Sequence, residues 1–70
     1  MSYFVVELQT NGTTGAAITT AYENKDDALA AAYTVAAAAV KSSVELHTVL
    51  VVNSQGFKVI EPMIFEHQPE

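Results

Sequence analysis

The chain predicts an α+β fold of order ββαββ, an antiparallel sheet with one alanine-rich helix across a face. Three observations lead there. A segment of strong helix formers, NKDDALAAAYTVAAAAVK, occupies Asn24 to Lys41. Two alternating apolar stretches precede it and two follow. Each pair is separated by a short Asn- and Gly-containing turn. At 70 residues this is one domain, 1–70, and a single sheet backed by one helix is its simplest layering.

Tyr3 to Gln9 (YFVVELQ) reads as the first strand, with Phe4, Val6 and Leu8 on one face and Tyr3, Val5 and Glu7 on the other. Asn11-Gly12-Thr13-Thr14-Gly15 is a turn whose glycines supply positive φ. Ala16 to Tyr22 (AAITTAY) is a weaker strand that completes a hairpin. Asn24 can cap the helix, Asp26 and Asp27 suit its first turn, and Lys41 suits its end. Leu29, Ala32, Tyr33, Ala36 and Val40 form the stripe expected to lie on the sheet; Ala30, Ala31, Thr34, Ala37 and Ala38 form the opposite, smooth side. Val44 to Val52 (VELHTVLVV) is the most hydrophobic strand, and Phe57 to Glu66 closes a second hairpin after the Asn53–Gly56 turn. Pro62 marks that last strand as an edge or a bulge. His67 to Glu70 reads as a loose tail.

The central helix sets the next expectation. From Ala28 to Val40 it carries no charge, and a helix apolar all round is normally buried all round. So small a domain buries only about 60 % of its unfolded surface and commonly needs outside help. With no cysteine, disulfides, thiolate zinc sites and cysteine nucleophiles are excluded. Assembly into a homo-oligomer, most simply a dimer, is the remaining expectation. Val5, Val49, Val51, Ile60 and Ile64 are expected to exceed what the helix can cover, leaving a patch for a partner.

Net charge is −5, with three lysines and no arginine, a poor match for duplex nucleic acid. Membrane spans and signal peptides are not expected, since no apolar run reaches the roughly 18 residues a span requires. No Ser-His-Asp set, carboxylate pair or metal signature emerges, so the expectation is a protein without enzymatic activity, cofactor or metal.

Candidate functional residues remain, each with a plainer explanation. His47 beside Glu45 could contact a ligand or act as a base, and could equally be a hydrogen-bonded strand histidine. Lys41, Ser42 and Ser43 could hold a phosphate, although the negative end of a helix opposes an anion. The Asn11–Gly15 turn lacks the lysine and the following helix of a phosphate loop. Glu23, Asp26 and Asp27 are explained by helix capping. Tyr3, Tyr22 and Tyr33 suit the edge of a core, or stacking on a base.

YFVVELQT, the TTAY that precedes the alanine-rich helix, AAAAVKSSVELHTVLVVNSQG and the closing E-x-x-x-F-E-H resemble small proteins encoded by phages and prophages of Firmicutes-type bacteria. The similarity covers nearly the whole chain. Such proteins are often virion assembly factors, inhibitors of host proteins, or counter-defence proteins. What the resemblance implies is a cytoplasmic accessory role in an infected host cell. One counter-defence class consists of small oligomers that sequester nucleotide-derived immune signals without chemistry. On that reading Lys41, Ser42, Ser43, His47 and Lys58 would meet phosphates, and Tyr3 or Tyr33 would stack on a base. The alternatives are a phage structural or assembly protein, and an inhibitor that binds a host protein.

Overall fold

The computed structural model describes residues 2–67. Among them are four strands and one helix: β1 (Tyr3–Asn11), β2 (Thr14–Tyr22), α1 (Lys25–Val40), β3 (Leu46–Asn53) and β4 (Met63–Glu66). The strands form one antiparallel sheet of order β2-β1-β3-β4. The predicted α+β fold and ββαββ order are therefore observed.

The first hairpin turns over two residues, Gly12 and Thr13, between the paired Asn11 and Thr14. Gly12 has φ 58°, the left-handed conformation that glycine adopts without steric cost. Gly15, expected in the turn, instead pairs with Thr10 inside the ladder, and its φ is not positive. The helix begins where expected: the Asn24 side chain accepts hydrogen bonds from the Asp26 and Asp27 backbone N–H groups, at 2.8 and 3.4 Å. Asp26 and Asp27 then sit in its first turn and Lys41 is its C-cap.

The register decides which side chains share a face, because directly paired residues are neighbours on one side. Val5 pairs with Val51, and Glu7 with Val49. Val5, Val49 and Val51 lie beneath α1, against Ala28, Ala32 and Ala36. The core is thus valine against alanine, and its largest fully buried side chains are Val49 and Val51.

Three expectations change here. The helix is rotated: Ala28, Ala32, Ala36 and Ala39 are buried, while Tyr33 and Val40 of the predicted stripe are 57 % and 55 % exposed. Alanine explains the choice, since methyl groups let the helix settle onto the three valines, whereas a tyrosine would hold it away. Val5, Val49 and Val51 do fit under the helix, and Ile60 packs against the same cluster. The uncovered surface is instead the other face of the sheet.

The second hairpin is also shorter than predicted. The only pairing between the Asn53–Gly56 turn and Met63 is a single bridge, Val52 to Lys58. Pro62 has no N–H to give and ends the ladder, and the loop turns Val59 and Ile60 towards the core. Val44 and Glu45 precede β3, held by side-chain bonds rather than by strand pairing. His67 is anchored, not loose: its backbone N–H donates to the Glu45 carbonyl at 2.7 Å. The rest of the expected tail, 68–70, lies outside the described residues.

Candidate functional site

The most distinctive surface is the sheet face turned away from α1. Register places Phe4, Val6 and Leu8 of β1 there, beside Leu46, Leu50 and Val52 of β3 and Ile64 of β4. On its other flank β2 contributes Gly15, Ala17, Thr19 and Ala21. Among the described residues, pairing places two charges on this face, Glu66 opposite Leu46 and Lys58 opposite Val52, and no other helix or strand lies across it. Leu8, Leu46 and Ile64 are exposed, and Ile64 reaches 58 %.

An antiparallel sheet ordinarily turns a polar face to water. Here apolar side chains also occupy the outer face, while on the inner face Val5, Val49 and Val51 are buried beneath α1 and Tyr3, Tyr22, Met63 and Phe65 pack around them. The total accessible surface, 4686 Å², exceeds the roughly 4,250 Å² expected for a folded chain of this mass. Four strands spaced about 4.8 Å apart, over about 26 Å of strand, present roughly 500 Å² of flat area. Two such faces meet the threshold of about 1,000 Å² for a specific interface.

A second constellation lies beneath the carboxyl end of α1. His47 is 4 % exposed, and its Nε2 is hydrogen-bonded to Glu7 Oε2, to which Gln9 Nε2 also donates at 3.1 Å. Among the described residues His47 Nδ1 has no partner. A carboxylate orienting an imidazole is the geometry of a general base, but the free nitrogen is enclosed and no substrate can reach it. Glu45, the expected neighbour, is elsewhere: it accepts from the Gly12 N–H at 2.9 Å, and its own N–H donates to Asn11 Oδ1 at 2.9 Å. That exchange clamps the first hairpin turn to the start of β3. Glu7 was missed as the partner of His47. Its signal was the inward parity of Glu7 and Gln9, two polar residues in line with Val5.

His67 docks on the end of the helix, with Nδ1 3.0 Å from the Val44 carbonyl and Nε2 3.0 Å from the Val40 carbonyl. A neutral ring has one N–H and can donate to only one of them.

The expected nucleotide-contacting residues do not converge within one subunit. Lys41, Ser42 and Ser43 sit at the helix C-terminus, where the Ser42 hydroxyl accepts from the Val44 N–H. Lys58 bridges to Val52, near the other end of β3, about 20 Å away along the strand. It pairs with Glu61, and both side chains are well exposed. Tyr3 packs against the core, and His47 is buried. Tyr33 stands on the outer side of α1, in one row with Ala37 and Lys41.

A shallow depression of about 330 Å³ lies near the turn end of β1 and β2, lined by Leu8, Gln9, Thr10, Gly15, Ala16 and Ala17. It contains no cation for an anionic ligand. Among the described residues there is no group of three metal-ligating side chains, and no helix is long and apolar enough to cross a membrane. Comparison with protein-family models, curated proteins and solved structures finds no match to this chain.

Proposed function

We propose that this chain is a non-catalytic subunit of a homo-oligomer, joined through the open sheet face, and that it works through surfaces formed between copies. One observation carries the reading: the face the helix does not cover is itself apolar, with Phe4, Val6, Leu8, Leu46, Leu50, Val52 and Ile64 on it. A second copy suits that face better than a charged partner. The subunit carries a net charge of −5, but pairing places on this face only Glu66 and Lys58, of opposite sign, so two copies meet there with little repulsion. The resemblance to phage proteins supports an accessory or assembly role in an infected cell. Sedimentation at micromolar concentration should find more than one subunit per particle, and Val6→Lys or Leu50→Lys should reduce that mass while the circular dichroism stays unchanged. A wild-type particle of 7.5 kDa would remove the proposal.

A second reading is sequestration of a nucleotide-derived signal by the assembled protein. It is supported by the exposed row of Tyr33, Ala37 and Lys41, which sets an aromatic ring and a cation about 12 Å apart on one helix face. Calorimetric titration with cyclic dinucleotides and ADP-ribose derivatives tests it. Binding should be weakened by Lys41→Ala and by Tyr33→Ala; flat traces across the panel eliminate the idea.

A further inference from the structure

The two edges of the sheet are built differently. β4 is four residues long, follows Pro62 and ends on Glu66, all features that discourage pairing by another strand. β2 has none of them. It runs nine residues from Thr14 to Tyr22 without proline or charge, and its ladder with β1 is continuous from Thr14–Asn11 to Tyr22–Tyr3, so no bulge twists the edge away. Eight of those nine residues are exposed. Among the described residues nothing pairs with its outer side, although alternate backbone N–H and C=O groups must point that way.

We infer that β2 is a second self-association surface, and that its occupant is β2 of another copy, running antiparallel. This rests on the proposed face-to-face assembly as its companion interface. A two-fold axis normal to the sheet and passing beside Ile18, the midpoint of Thr14–Tyr22, brings the two strands together in full register. Ile18 then faces its own copy, and Ala17 meets Thr19. No pair in this register contains a charge, so a chain of net charge −5 can match itself here without like charges opposed.

The two surfaces are geometrically compatible. Edge pairing joins two sheets into one of eight strands with both helices on the same side, and so doubles the open apolar face. Face stacking then uses a two-fold axis lying between the sheets, perpendicular to the first. Perpendicular, intersecting dyads close into a four-subunit particle with no free apolar face and no free β2 edge.

The test uses the full chain and two variants chosen from opposite faces. Ile18 shares its face with Glu7 and Val5, not with the open face, so Ile18→Lys places two cations at the edge dyad and leaves the stack untouched. Val6→Lys lies on the open face and spares the edge. By sedimentation the wild type should have four subunits, and each variant should fall to two. Native amide exchange should show alternate β2 amides protected in the wild type and Val6→Lys, and unprotected in Ile18→Lys. A two-subunit wild type whose mass is insensitive to Ile18→Lys, with fast-exchanging β2 amides, overturns the edge pairing and leaves the stack standing. A two-subunit wild type insensitive to Val6→Lys but dissociated by Ile18→Lys does the reverse.

Discussion

Ala32 is fully buried at the centre of the contact between α1 and the sheet, among Val5, Ala28, Ala36, Val49 and Val51. Replacing it with leucine adds three carbon atoms. If the contact could open freely to accept them, their transfer from water would stabilise the fold by about 2.4 kcal/mol, at roughly 0.8 kcal/mol per methylene. If the alanine row holds the helix against the valines without slack, the helix must lift, and overpacking costs about 1–3 kcal/mol instead. That is a large share of the roughly 3.5–10 kcal/mol expected for a domain of this length. Each kcal/mol corresponds to about 4–8 °C of melting temperature at this size. Ala32→Leu should therefore lower the midpoint by several degrees, whereas Ala37→Leu, on the exposed side of the same helix, should change stability by about 0.5 kcal/mol or less. Circular dichroism melts at one fixed protein concentration are the assay, because an oligomer's midpoint depends on concentration. A higher midpoint for Ala32→Leu, or equal losses at the two positions, would refute the close alanine contact.

Two further outcomes follow from the hydrogen bonds. Glu7→Ala removes the partner of a histidine ring whose other nitrogen already has none among the described residues, so denaturant titration should show a loss of about 1–3 kcal/mol. Replacing Glu7 and His47 together by leucine should recover most of that loss, and a double variant as weak as the single one would show that packing, not desolvation, governs the site. Asn24→Ala deletes the acceptor for two N–H groups at the start of α1 and should cost about 1 kcal/mol in thermal unfolding, with Asn24→Asp nearly neutral.

What could be read from the chain alone was what neighbours along the chain decide. The alternation in Tyr3–Gln9 set the two faces of β1, a positive-φ glycine marked the first turn, and Asn24, Asp26 and Asp27 set the helix start through capping and dipole. An apolar surplus was legible too, because composition and length bound what one domain can bury. Its location was not. In a helix made almost wholly of alanine every side is a plausible inner side, and the choice fell on Ala28, Ala32, Ala36 and Ala39 because Val5, Val49 and Val51 filled the space opposite. Side-chain size had suggested Leu29, Tyr33 and Val40; Leu29 does pack against the core, but closeness of approach left Tyr33 and Val40 outside. The pairing of His47 with Glu7, forty residues away, likewise exists only once β1 and β3 are in register. Tertiary structure also decided which sheet face is left bare, since one helix can cover only one side, and the side it took carries Val5, Val49 and Val51, which its alanine row can approach closely.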